Sequence, residues 1–107
     1  MQRVTMVRYT AKPDRADENE RLSRAVFAEL RAKTPPGVAY ALCRAGDEFT
    51  HVFINFSADE SEPVTGLPSF KAFEADAQSR WLAPPQATRL SVQVVEAYGF
   101  ERVGAGG

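Results

Sequence analysis

Glu48-Phe49-Thr50-His51-Val52-Phe53-Ile54-Asn55-Phe56-Ser57 is the stretch on which the fold turns. Successive side chains of an extended chain point to opposite faces. Phe49, His51, Phe53 and Asn55 therefore share one face, and Thr50, Val52, Ile54 and Phe56 share the other. Aromatic and β-branched residues favour a strand, and bulk on both sides predicts one that is covered on both faces. Just upstream, residues 38–44 form a second such run. Ala45-Gly46-Asp47 lies between the two and reads as a short hairpin turn.

Further toward the N-terminus, residues 3–11 read as a strand that Lys12-Pro13-Asp14 ends, because Pro13 has no N–H to give a ladder. Residues 15–33 then read as a helix. Asp14 or Asp17 is its expected cap, and Asp17, Glu18 and Glu20 suit the positive end of its dipole. Leu22, Ala25, Val26 and Leu30 form its expected apolar stripe, and Thr34-Pro35-Pro36-Gly37 stops it. Toward the C-terminus, residues 57–66 are acidic and loop-like through Asp59, Glu60 and Glu62. Residues 68–81 read as a second helix, with Pro68 in its first turn and Phe70, Phe73 and Ala77 on its buried side. After Pro84-Pro85, residues 89–100 read as the last strand.

The order is βαββαβ. Right-handed crossovers put both helices on one side of an antiparallel four-stranded sheet, the ferredoxin-like α+β arrangement. A single domain is expected over residues 1–103, followed by a flexible glycine-rich tail at 104–107. Such a sheet leaves one face to water, yet every strand here carries apolar bulk on both sides. Val4 and Met6 oppose Val7 and Tyr9, and Ala39, Ala41 and Cys43 oppose Tyr40 and Leu42. An apolar face of that size exceeds what soluble monomers carry. The expectation is a homodimer packed face to face about a two-fold axis.

Composition excludes several classes. The 107 residues carry 13 Lys and Arg against 14 Asp and Glu, which leaves no basic surplus for binding nucleic acid. No run approaches the roughly 20 apolar residues of a membrane span. Residues 1–10 read as a strand rather than a secretory leader. The lone Cys43 cannot form an internal disulfide, and a reduced, cytoplasmic setting is the expectation. No serine-hydrolase elbow, phosphate-binding loop or metal-ligand cluster is present.

The first strand ends Tyr9-Thr10-Ala11-Lys12-Pro13-Asp14 and runs into an acidic helix start. With the strand 51–56, the helix segment Phe70-Lys71-Ala72-Phe73-Glu74 and the closing strand, it resembles the dimeric α/β-barrel superfamily, and within it the antibiotic biosynthesis monooxygenase (ABM) domain proteins. That resemblance implies a dimeric barrel with a pocket between sheet and helices in each subunit. It also implies, in some relatives, oxygenation of aromatic phenols or quinols without metal or flavin, so no cofactor is expected. Other relatives degrade haem with a first-strand asparagine and a histidine near the second helix. Val7 and Arg8 occupy the first of those neighbourhoods here, and the second helix has no histidine.

His51, the only histidine, is the candidate acid or base for a phenolic proton. Tyr9 and Tyr40 offer hydroxyls to a quinone or phenolate oxygen, as does Tyr98 on the last strand. Asn55 is the candidate donor to a developing oxyanion. Phe53 and Trp81 are candidate pocket walls, and Arg80 a candidate gate that meets an anionic substrate. Each also has a structural reading: His51 as a satisfied core histidine, the tyrosines and Trp81 as packing, Arg80 as a helix-end partner for carbonyls, Cys43 as a small buried hydrophobe. Two functions follow, a cofactor-independent monooxygenase acting on an aromatic phenol or quinol, or a non-catalytic homodimer that binds a small ligand or is purely structural.

Overall fold

The β-branched and aromatic residues Val4, Thr5, Val7, Tyr9 and Thr10 make Gln2–Thr10 the first strand, β1, of the computed structural model, which describes residues 2–57 and 63–99. The chain continues through α1 (Ala16–Lys33), β2 (Val38–Ala45), β3 (Glu48–Asn55), α2 (Pro68–Ala75), α3 (Ala77–Arg80) and β4 (Gln86–Val92). The sheet order is β2-β3-β1-β4, and every neighbouring pair is antiparallel. This is the ferredoxin-like α+β fold expected from the element order. The acidic residues Asp59, Glu60 and Glu62, the end of the domain at 103 and the tail at 104–107 lie outside the described residues.

Register decides what meets beneath the helices. Val7 pairs with His51, which pairs with Leu42 on its other side. Tyr9 pairs with Phe49, and Thr5 with Phe53, which in turn pairs with Tyr40. Paired residues share a face. Val7, Tyr9, Tyr40, Leu42, Phe49 and Phe53 therefore lie on one side, packed with Val26 of α1 and Phe73 of α2 in a common core. The opposite side carries Val4, Met6, Ala41, Val52, Ile54 and Leu90 by alternation. Met6 and Leu90 there are 40 % and 53 % exposed.

Several boundaries differ from expectation, each for a local reason. The last strand spans Gln86–Val92 rather than 89–100. Val92 pairs with Gln2, the first residue of β1, and the described ladder between the two strands ends there. The Gln2 side chain takes over by accepting from the Val94 N–H at 2.8 Å. Tyr98 consequently lies past the strand and is 93 % exposed. Neither Asp14 nor Asp17 caps α1. Its N-cap is Arg15, with no side-chain cap bond, and Asp17 instead accepts from Arg44 of β2 at 3.0 Å. The buried stripe of α1 is Ala16, Asn19, Ser23 and Val26, with Leu22 and Leu30 beside it, while Ala25 is exposed. The expected helix 68–81 is broken at Asp76, whose carbonyl accepts from the Ser79 N–H and hydroxyl. The break turns Ala77 and Arg80 into the core. Cys43 is exposed on the open face rather than buried.

Candidate functional site

The site grows from Tyr9, His51 and Tyr40, which three different strands place on the helix-covered face. The Tyr9 hydroxyl lies 2.8 Å from His51 Nε2, and the Tyr40 hydroxyl 2.6 Å from His51 Nδ1. His51 is 3 % exposed and Tyr9 7 %. The rings stack as well as bond: Tyr9 and His51 are 5.4 Å apart, and Phe53 closes on Tyr40 at 4.1 Å.

Helix α1 adds a residue that the sequence reading did not single out. Asn19 Nδ2 donates to the Tyr9 hydroxyl at 2.8 Å, and Arg80 Nε donates to Asn19 Oδ1 at 2.9 Å. Asn19 and Arg80 are both fully buried. Arg80 Nη2 also donates to the Phe73 carbonyl at 2.6 Å, and its guanidinium lies 5.0 Å from the Phe73 ring. A polar residue on the buried stripe of a helix must find partners there. Asn19 stands three and seven residues before Leu22 and Val26, and that placement was the available signal.

Burial dominates the electrostatics. It pulls His51 down to about 4, so the ring is neutral near physiological pH. Burial raises Tyr9, against the opposing pull of the Asn19 hydrogen bond and the Arg80 charge. Burial likewise raises Tyr40 and lowers Arg80.

A cavity of about 450 Å3 opens against this wall, between the sheet and α2 and α3. That volume suits a small-molecule ligand, for which about 300–1,000 Å3 is usual. Val7, Phe53, Phe70, Phe73 and Trp81 give it an apolar wall around Tyr9 and His51, while Arg3, Arg89 and Glu74 bring charge to the rest of its lining.

Of the sequence candidates, the structure brings Tyr9, His51, Phe53 and Trp81 together around the cavity and seats Tyr40 behind His51. Asn55 also lines the cavity, but it lies four positions along the strand from His51, about 13 Å. Its Oδ1 accepts from the Ser57 N–H at 2.9 Å. Arg80 does not face the cavity as a gate. The kink at Asp76 turns it inward, where it holds Asn19 and a helix carbonyl. Trp81 stands 5.8 Å from the Tyr9 ring. Among the described residues its Nε1 has no hydrogen-bond partner, no group of three or more potential metal ligands occurs, and no helix is long and apolar enough to cross a membrane.

No protein-family model and no curated protein matches the sequence. Solved structures do. A Caulobacter crescentus protein provisionally named an antibiotic biosynthesis monooxygenase superposes with a TM-score of 0.71 at 22 % identity, over 86 % of this chain and 91 % of that one. A Nitrosomonas europaea protein with the same provisional name gives 0.71 at 11 % identity, over 90 % and 94 %. A Mycobacterium tuberculosis protein gives 0.71 at 18 % identity, over 91 % and 100 %. With TM-scores of 0.71 over 86–91 % of its length, the chain has the fold of the antibiotic biosynthesis monooxygenase domain proteins.

Proposed function

We propose that the protein is a small oxygenase that acts on a planar aromatic phenol or quinol without a bound cofactor. The observation that carries this reading is the Tyr9–His51–Tyr40 unit at the wall of an aromatic cavity. The name borne by proteins of the same fold agrees with it. The substrate hydroxyl donates to the Tyr9 oxygen, whose own proton passes to His51 Nε2. An anion forming beside the ring raises its proton affinity, which burial alone holds low. The resulting phenolate is the electron source for dioxygen. In the overall balance a ring C–H becomes C=O while the phenolic C–OH becomes a second C=O, one oxygen atom of dioxygen enters the substrate, and the other leaves as water with the ring hydrogen and the hydroxyl hydrogen.

Oxygen uptake with a panel of hydroquinones and naphthols tests the reading. Uptake with at least one member is expected, and His51→Ala should lower it by about a hundredfold or more, the usual contribution of acid–base catalysis. An unchanged rate in that variant removes His51 from the chemistry.

One observation favours a second reading. Both ring nitrogens of His51 already have partners and the ring is held neutral, as in a non-catalytic pocket for a small aromatic ligand. Displacement of a hydrophobic dye by aromatics, without oxygen uptake, selects that reading. Under either, we propose a homodimer formed through the open sheet face, where Met6 and Leu90 lie exposed. A single 11.8 kDa species at micromolar concentration in sedimentation would exclude it.

A further inference from the structure

We infer that Asn19, anchored by the buried Arg80 guanidinium, holds His51 as the Nδ1–H tautomer and so makes Tyr40 the hydroxyl by which a proton leaves the cavity; the exit role rests on the catalytic reading above.

The chain of bonds has a fixed direction at its Arg80 end. A guanidinium only donates. Arg80 Nε must therefore face the Asn19 carbonyl oxygen, which turns the Asn19 amide nitrogen toward Tyr9 as a donor. The Tyr9 oxygen accepts that bond, and its own proton has His51 Nε2 at 2.8 Å. If Tyr9 donates there, Nε2 is bare, the neutral ring carries its hydrogen on Nδ1, and Nδ1 donates to Tyr40 at 2.6 Å. The proton left over is then the one on Tyr40, which is only partly buried. In the opposite arrangement His51 and Asn19 both donate to Tyr9 and fill its two acceptor sites, Tyr40 donates to His51, and the leftover proton on Tyr9, 7 % exposed, has only the cavity to turn to. Leaving a donor unsatisfied costs more the deeper it lies. The first arrangement therefore wins, and Asn19 selects it by occupying Tyr9 as an acceptor.

Proton transfer along this row balances without a co-reactant. A substrate proton arrives on the Tyr9 oxygen and the Tyr9 proton moves to Nε2. The Nδ1 proton moves to Tyr40, and the Tyr40 proton passes to water. The row is left pointing the other way with the ring hydrogen on Nε2, and it resets when a proton from water enters through Tyr40 to Nδ1 while the Nε2 hydrogen moves to Tyr9 and the Tyr9 hydrogen passes to the oxygen atom that leaves as water. Asn19 and Arg80 touch no substrate in this scheme. They are positioning residues.

His51 is the only histidine, so imidazole 15N resonances of the labelled full chain report on it alone. At neutral pH the wild-type spectrum should show a protonated Nδ1 and a bare Nε2. Asn19→Asp keeps an acceptor for Arg80 but presents a carboxylate oxygen to Tyr9. Tyr9 then donates to the carboxylate, and the two ring nitrogens should exchange roles. A wild-type ring protonated on Nε2, or an Asn19→Asp ring still protonated on Nδ1, overturns the inference. Tyr40→Phe should lower turnover at least tenfold while retaining affinity for an aromatic that lacks a hydroxyl, and undiminished turnover overturns the exit role. If no phenol or quinol turns over yet the ring behaves as stated, the catalytic reading fails and Asn19's control of the ring stands.

Discussion

At the scale of single residues, the buried histidine ties stability to pH. His51 titrates at about 4 in the folded chain and near 6.5 when unfolded. Between those values the unfolded chain takes up a proton that the folded chain refuses, so stability falls as pH drops through this range and levels off below it. The loss amounts to about 3 kcal/mol. Urea unfolding at stepped pH should show it, and His51→Gln should flatten that part of the profile. Tyr9→Phe strips Asn19 Nδ2 of its acceptor and His51 Nε2 of its partner. A loss of about 1–3 kcal/mol is expected for stranding buried polar groups, read as a lower urea midpoint at unchanged slope. The types at positions 9, 40 and 51 could be read as candidates directly from an alternating strand. Their meeting could not, because it follows from the register of three strands, and a one-residue slip of any of them would face it the other way.

Elements meet through a few identifiable joints. Glu29 of α1 accepts from the Ser69 N–H at 2.9 Å, in the first turn of α2, and pairs with Lys33 at 2.6 Å. These partners hold its carboxyl down at about 2, against an ordinary 4.5. The tie between the helices is therefore complete above pH 4.5 and is lost as pH falls toward 2. Glu29→Gln should lower the thermal midpoint at neutral pH and reduce the acid-side slope between those two values. At the other end of α1, the C-cap Thr34 adopts φ 44° and ψ 56°. A β-branched residue is strained in that left-handed region and glycine is not. Thr34→Gly should stabilise the chain by about 1 kcal/mol, measurable as a raised midpoint. Helix and strand identities were legible because their periods are local. The end of β4 was not, since it is set by the long-range register that pairs Val92 with Gln2 of β1. The kink at Asp76 was not either, and it is the kink that converts Arg80 from an expected gate into a buried anchor.

For the whole molecule the consequential asymmetry is between the sheet's two faces. Helices cover one. The other presents Met6 and Leu90 to solvent, with Val4, Val52 and Ile54 between them by register. Met6→Lys places a charge in the middle of that face and should convert the proposed dimer to monomer in sedimentation, with far-ultraviolet circular dichroism preserved. A dimer that survives the change must be built elsewhere. Apolar alternation on both sides of each strand made this asymmetry legible before any coordinates. It did not reveal the cavity, whose shape depends on how α2 and α3 lean over the sheet.

Trp81 is the only indole in the chain, and it stands in the cavity wall beside the Tyr9 ring. Its fluorescence is therefore a built-in gauge of occupancy. An aromatic guest should quench or shift the emission, while a compound that settles on the open sheet face should leave it unaltered. Titrations followed at this one chromophore would sort true guests from surface binders without a label and before any assay of turnover.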